Sequence, residues 1–405
     1  MSPLNITTHN SNIIDIFYQN TNSLKRKTMN FYLNVLSEDH DVIVITESWL
    51  SYDITNNEVF DARYDVYRQD RVLINEKGNE KRGGGILFAI KKTIQSNPIP
   101  HMNIHTPNLE TLWVKCKIFN QEIYFCVCYF PPPVKTNTLK TFIEQTCSQN
   151  NLINANLMFI GDFNLKEYGH PDQDNSTRIT ELNKLTNFFN LESYNQIKNK
   201  NSRTLDLCLT NLSQNKLSKN KITNIQIEKG QGLVPPVSDH PPLSITISLK
   251  STPTPNTNKE PNKTNLNYNR AEFFKIKEEI KQINWYNLLE CEEKSTDEKL
   301  ELFYNKINEI TNKYVPKSKN KKIKFPIWWT FNTQKLFKQK ERLRKIKNKS
   351  NKQKDKYQKL RKDCKKKIRE DYSKYLEDMS QNIKKDSTQF WKYYKTKRKL
   401  IKHKQ

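Results

Sequence analysis

From residue 13 to residue 250 the chain alternates short apolar, β-branched runs with amphipathic stretches and turn-forming residues. Such runs, bounded by polar turn signals, predict strands. They fall at Ile13–Tyr18, Val42–Thr46, Gly85–Ile90, Leu112–Ile118, Ile123–Tyr129, Leu157–Ile160, Leu205–Leu209, Ile222–Ile227 and Leu243–Leu249. A helical period predicts helices near Lys27–Leu36, Thr138–Gln149 and Arg178–Phe189. Many strands with few intervening helices predict an α/β sandwich of mixed sheets. Ser251–Asn267, rich in Pro, Thr, Asn and Lys, reads as a linker. Beyond it the period becomes helical, over Arg270–Leu289 and Thr296–Lys313, ending near Pro316. After the aromatic turn Phe325–Trp329, apolar residues such as Leu336, Leu343, Ile368 and Tyr372 recur at helical steps among charges. That predicts one or two long helices with a narrow apolar seam. The expected division is 1–250, a linker 251–267, a short helical region 268–316 and a basic tail 317–405.

Composition sharpens this division. The 405 residues suit two or three domains, and a mean hydropathy of −0.87 is low for a wholly compact chain. The 69 Lys and Arg outnumber 43 Asp and Glu, for a net charge of +26. From Lys313 onward there are 34 basic and 8 acidic residues, leaving 35 of each before it. The imbalance therefore belongs to the tail, which would attract polyanions, nucleic acid before acidic membranes. A solvated lysine-rich helix is the plainer alternative, since Lys and Asn are abundant throughout. The 7 cysteines are scattered without a Cys-x-x-Cys pair, so neither a zinc site nor a disulfide framework is indicated. The first residues lack a signal peptide's charged and apolar regions, and no apolar run reaches membrane-spanning length. The expectation is a soluble intracellular chain with reduced thiols.

The candidate chemistry lies at strand ends. Gln19 and Asn20 follow the first strand, Glu47 follows the second, and Tyr129 ends the Ile123 strand before three prolines. Asp162 and Asn164 stand in a Gly-Asp-Phe-Asn turn, Asp206 in Thr-Leu-Asp-Leu, and Asp239-His240 before the last strand. Carboxylates and amide oxygens suit a hard divalent cation, and one imidazole can handle a proton. Together they suit phosphodiester hydrolysis. Singly each is weak: such a turn, an Asp-His pair or a buried Asp is more often structural. Arg82-Gly83-Gly84-Gly85 lacks the Gly-Lys-Ser/Thr ending of a phosphate loop and reads as a tight entry to a strand.

The order of these motifs resembles the exonuclease–endonuclease–phosphatase superfamily, DNase I-like and AP-endonuclease-like. The matching elements are Tyr18-Gln19-Asn20, Thr46-Glu47-Ser48-Trp49-Leu50, Tyr129-Phe130-Pro131-Pro132, Gly161-Asp162-Phe163-Asn164, Thr204-Leu205-Asp206-Leu207 and Ser238-Asp239-His240. Thr-Glu-Ser-Trp-Leu, Tyr67-Arg68-Gln69-Asp70-Arg71 and Leu-Asp-Leu-Cys-Leu-Thr-Asn look like the endonucleases of Jockey-like non-LTR (LINE-type) retrotransposons. The resemblance implies a four-layered α/β sandwich with two mixed β-sheets, followed here by a mostly helical basic region. It also implies Mg²⁺, with Mn²⁺ as a substitute and no small-molecule cofactor. Glu47 would bind the metal with Asn20 beside it and Asp239 as a further metal or leaving-group carboxylate. Asp162 would orient or deprotonate the attacking water, and Asn164 and Tyr129 would hold the scissile phosphate. His240, oriented by Asp206, would contact the same phosphate.

The resemblance further implies a DNA-binding surface that includes Lys25, Arg26, Arg68, Arg71, Lys198, Lys200 and Arg203. The tail around Arg342 would add to it, with RNA as a second ligand. Where relatives often carry a basic residue after Gln-Asn, Thr21-Asn22-Ser23 stands here, with Lys25 and Arg26 just beyond. The Lys198–Asn201 turn is equally a groove-entering hairpin or a plain exposed one. Trp328 and Trp329, with Phe390–Tyr394, either stack on bases or anchor helices to a core. No Asp-Asp dipeptide occurs, so a reverse-transcriptase Tyr/Phe-x-Asp-Asp site is missing, and no zinc knuckle is present. The expected function is a nuclear, Mg²⁺-dependent endonuclease that nicks duplex DNA to leave 3′-hydroxyl and 5′-phosphate ends. It would be a truncated or separately encoded portion of such an element. The alternatives are a catalytically idle nucleic-acid-binding remnant and a phosphatase or phosphodiesterase of the same fold.

Overall fold

The computed structural model describes residues 13–71, 83–169, 176–213, 222–249, 270–289, 295–316 and 325–397, apart from 345, 347, 348 and 385. The expected linker at 251–267 lies outside these residues. Strands are numbered in chain order. One sheet runs β12 (Ile222–Lys229), β13 (Leu243–Leu249), β1 (Ile13–Asn20), β2 (Val42–Thr46), β4 (Ile86–Lys91), β3 (Tyr64–Gln69). The other runs β10 (Glu192–Ser193), β11 (Asp206–Thr210), β9 (Asn156–Asp162), β8 (Gln121–Tyr129), β7 (Leu109–Ile118), β5 (Gln95–Pro98), with β6 (His105–Thr106) paired to β7. Both sheets are mixed: β1–β2 and β8–β9 are parallel, and neighbours such as β1–β13 and β9–β11 are antiparallel.

Alternation along each strand builds the layers. Ile14, Ile16, Val42, Val44, Phe88, Val114, Phe125, Val127, Met158 and Ile160 fill the space between the sheets. Phe17, Ile43, Ile45 and Leu87 pack outward with Phe31 and Val35 of α1 (Thr28–Glu38). On the far side, Cys126, Phe159 and Leu207 pack with residues of α3 (Thr136–Cys147) and α4 (Thr177–Phe189). Helix, sheet, sheet, helix is the four-layered arrangement expected. Strands covered on both faces read as continuous apolar runs, which is why they are visible in the sequence. The short α2 (Asn56–Val59) follows β2.

The described residues divide into two compact units, one within 13–249 and 327–397, the other within 270–316 and 325–326. In the second, α5 (Phe273–Gln282), α6 (Trp285–Leu289) and α7 (Thr296–Tyr314) join through Lys313–Glu279, at 2.9 Å, and the tilted ring pair Trp285–Phe303.

The C-terminal helices α8 (Phe331–Arg344), α9 (Asn351–Asn382) and α10 (Thr388–Lys397) belong with the sandwich. Trp329 is buried against Phe337, and Trp328 meets Tyr372, which in turn faces Tyr32 of α1. The tryptophan pair is therefore an anchor. Lys340, with no exposed surface, donates to the Ser37 carbonyl; Arg344 reaches Asp15 at 3.0 Å and Arg361 reaches Glu38 at 2.7 Å. Asp371 accepts from both the backbone N–H and the hydroxyl of Thr330, fixing the turn before α8. Several of the basic residues of the expected tail are thus committed to acids and carbonyls of the sandwich.

Candidate active site

The functional residues end strands whose inner faces form the inter-sheet core. Tyr129, Asp162 and Asp206 are direct register partners on three neighbouring strands, Tyr129 opposite Asp162 and Asp162 opposite Asp206. Their side chains continue the inward rows of Val127, Ile160 and Cys208. In the facing sheet Asn20 continues the row of Ile16 and Tyr18, and its register partner is Thr46, with Glu47 next. The site is the open end of the core, where the inward rows turn from apolar to polar.

Asn20 joins the sheets. Its side-chain N–H donates to Glu47, at 3.1 Å, and to Asp162, at 3.0 Å, while its oxygen accepts from the Asn22 backbone. Gln19 has the opposite parity and serves the frame, bonding Leu233 and Val234. The loop carrying Glu47 is held by the glycine run: Ser48 and Trp49 donate to the carbonyls of Gly85 and Gly84. A Cβ on Gly85 would lie 2.6 Å from the Ser48 hydroxyl, and φ there is +83°. Glu47, Trp49 and Asn164 themselves have positive φ, near 50°. That is unfavourable backbone for residues other than glycine, concentrated at one place.

Asp162 is fully buried, with its carboxylate accepting from Asn20 and from the Asn164 backbone at 3.1 Å. Burial pushes its pKa well above the usual 3.8, and the carboxylates of Asp206 and Glu47 push the same way against His240. His240 Nδ1 lies 3.1 Å from Asp206 and Nε2 3.8 Å from Asp162. Burial alone would lower its pKa, but Asp206, through charge and hydrogen bond, with Asp162 and Glu47 behind it, raises it from 6.5 to about 10. The ring is an imidazolium at neutral pH, donating Nδ1–H to Asp206. Tyr18 donates to Asp206 at 2.6 Å, and burial and that carboxylate raise its own pKa well above 10. Tyr129 is buried beside the Arg71 guanidinium, 5.3 Å over its ring. The Asn164 side chain donates to the Phe130 carbonyl at 2.9 Å.

Asp162, Asp206 and His240 offer ligand atoms within 4.8 Å of one another, and Glu47 reaches Asp162 through their shared Asn20 donor. A buried carboxylate among like charges is what a divalent cation relieves, and the oxygen set suits a hard one. Glu47 and Asp162 are the better ligands, because His240 Nδ1 and Asp206 are already paired with each other.

Asp239 does not join this cluster: its carboxylate bonds Asn201 at 3.1 Å and faces Lys200 at 3.7 Å. Lys198 and Lys200 are exposed on the same turn. Arg68 is held by the Ile54 and Ser51 carbonyls and Asp70, and Arg71 is ion-paired with buried Glu110. Both guanidiniums are engaged inside the protein. Lys25, Arg26 and Arg342 are exposed. Sequence reasoning gave no role to Tyr18, Glu110 or Asn199. Tyr18 shares the parity of Asn20, which was a usable signal. Asn199 donates to the Asp239 carbonyl and accepts from the Arg203 backbone, tying the turn to the His240 segment.

Residues 123–244 match the model of a family described as endonuclease-reverse transcriptase. Among solved structures, the chain is similar to the endonuclease domain of TRAS1, a telomere-specific non-LTR retrotransposon. Identity is 16%, covering 58% of this chain and 99% of that one, with a TM-score of 0.43. An AP endonuclease from Archaeoglobus fulgidus shows 13% identity over 58% and 99%, with a TM-score of 0.40. The 3′ phosphatase NExo from Neisseria, solved with a product DNA hairpin, shows 12% identity over 58% and 99%, with a TM-score of 0.38. The search among curated proteins found no match.

Proposed function

We propose that this protein is a Mg²⁺-dependent DNA endonuclease, acting in the nucleus on duplex DNA as a non-LTR retrotransposon endonuclease of the Jockey-like kind would. The observation that carries the reading is the junction at Asn20: one amide binds Glu47 of one sheet and Asp162 of the other, with His240 between Asp162 and Asp206. A divalent cation bound by Glu47 and Asp162 would neutralise charge building on the phosphoryl oxygens. Asp162 orients the attacking water. The His240 imidazolium offers Nε2–H to a phosphate oxygen, with Asp206 fixing its tautomer. Tyr129 and Asn164 flank the same phosphate. Water attacks phosphorus and the bond to the 3′ oxygen breaks, leaving 3′-hydroxyl and 5′-phosphate ends. The basic residues outside the core, Lys25, Arg26, Lys198 and Lys200, face solvent and are available to a DNA backbone.

The test is relaxation of supercoiled plasmid by the purified full chain. Mg²⁺ should support nicking, Mn²⁺ should substitute, and EDTA should abolish it. Well-folded protein that leaves the plasmid intact with every divalent ion would favour the idle binding remnant. A smaller effect concerns Tyr18. A hydrogen bond to a charged acceptor contributes about 1.5–3 kcal/mol, so Tyr18→Phe is expected to slow nicking about tenfold by loosening Asp206 and His240. An unchanged rate would reduce Tyr18 to a packing role.

A further inference from the structure

Two features beside the carboxylates meet at one point: the glycine run Gly83–Gly85 and the fully buried Glu110. Glu110 sits opposite Tyr129 in register, on the inward row of Leu112 and Val114. A charged side chain therefore stands where that row reaches the open end of the core. One carboxylate oxygen accepts the Gly85 backbone N–H at 2.7 Å, and the other is paired with the Arg71 guanidinium. Glu110 belongs to one sheet, while Arg71 follows β3 and Gly85 precedes β4 of the other. This is a second junction between the sheets, beside the one at Asn20.

The junction touches three parts of the site. The Arg71 guanidinium lies 5.3 Å over the Tyr129 ring, and the Tyr129 hydroxyl bonds Glu47. The carbonyls of Gly84 and Gly85 hold the N–H groups of Trp49 and Ser48, at 3.0 and 2.9 Å, in the loop that carries Glu47. Gly84 has a φ of +73°, and a Cβ there would collide with Arg71 and lie 2.6 Å from the Glu110 carboxylate. The glycine run is thus shaped to admit the ion pair as well as to enter a strand. The side chains of Arg71 and Glu110 are 6% and 0% exposed, and Arg71 Nη2 is buried without a hydrogen-bond partner among the described residues. A buried ion pair with an unmet donor is a poor device for stability, since apolar residues of similar volume would fill the space as well. What it does achieve is to hold Tyr129 and the Glu47 loop.

We propose that Arg71 and Glu110 are a positioning pair, which fixes the Glu47 loop and the Tyr129 ring and so sets how tightly the site takes a divalent cation. The proposal rests on the metal site of the nuclease reading, in which Glu47 binds Mg²⁺. It takes Arg71 off the DNA surface: the guanidinium acts through Tyr129 and Glu110 and touches no part of the substrate. Losing a partner behind a metal ligand changes metal affinity or activity about 10- to 100-fold.

The experiment uses the full-length protein carrying Arg71→Met/Glu110→Gln. The glutamine keeps an oxygen for the Gly85 N–H, and removing both charges strands neither. The melting temperature in EDTA should stay within about 4 °C of the wild type. Mg²⁺, titrated against the rise in melting temperature it produces, should be needed at about tenfold higher concentration. Nicking at saturating Mg²⁺ should be about tenfold slower, with the KM for duplex DNA unchanged. Arg71→Lys, which keeps the charge but not the planar fork, should show the same pattern more weakly. It decides the matter if the double variant does not fold. A well-folded variant with the wild-type Mg²⁺ requirement overturns the positioning role and leaves a core brace. A raised KM at unchanged turnover overturns it in favour of a DNA contact. Wild-type protein that binds Mg²⁺ but cleaves no DNA overturns the nuclease reading alone, because the Mg²⁺ titration still reads the pair's hold on Glu47.

Discussion

Asp162→Asn should lower plasmid nicking by about three orders of magnitude, the scale seen when a catalytic acid–base or metal-binding group is removed. Asp162 is the one side chain bonded to Asn20 that also faces His240, and it lies opposite both Tyr129 and Asp206 in register. An asparagine has the same shape but one acceptor where the carboxylate has two, so it can keep either the Asn20 bond or the Asn164 backbone bond. It also removes a buried charge from beside Asp206 and Glu47, whose presence raises the Asp162 pKa. Those changes oppose each other, so the melting temperature measured in EDTA should move by only about 2–4 °C. DNA affinity should hold or rise, because a negative charge leaves the cleft. Nicking within a few-fold of the wild type would remove Asp162 from the chemistry, and a collapse in melting temperature would make its role structural.

The legible part of this molecule is where burial leaves a clear period. Val42–Thr46 is readable to the residue as a continuous apolar run, and Leu243–Leu249 as a strict alternation of apolar and polar residues with its polar face half-exposed. The edge strand β3, Tyr64–Gln69, was not read as a strand, since its side chains are mostly half-exposed and polar. Arg270–Leu289 read as one helix but breaks after Gln282, where Asn284 turns its side chain to the Asn287 backbone. For the site, strand ends gave the right positions, but partners far apart in the chain are invisible to local pattern. The resemblance places Arg71 on a DNA surface, whereas its pairing with Glu110, 39 residues later, is invisible to local pattern. The resemblance groups Asp239 with His240 through the Ser238-Asp239-His240 motif. Ser238 and Asp239 form a turn closed by the His240 N–H on the Val237 carbonyl, and in it Asp239 turns to Asn201 while His240 turns to Asp206.

Arg361→Met tests whether the basic C-terminal helices are an independent arm or a wall of the sandwich. Arg361 of α9 meets Glu38 of α1 at 2.7 Å, with 14% and 4% of the two side chains exposed. Desolvation would raise the Glu38 pKa, but Arg361, Lys340 and His40 outweigh it and hold it below the usual 4.5. Losing the arginine strands a buried carboxylate, at a cost of about 3 kcal/mol. At about 2–4 °C per kcal/mol for a unit of this size, melting should fall by about 10 °C. The sign with pH follows from the lowered pKa. The pair's stabilisation is fully present above pH 4.5 and is lost as pH falls through the folded-state value, so the gap between wild type and variant should close in acid. Adding Glu38→Gln should recover much of the loss at neutral pH, because the stranded charge is gone. An independent arm predicts the reverse: no change in melting for Arg361→Met, and only a shallower salt dependence of DNA binding.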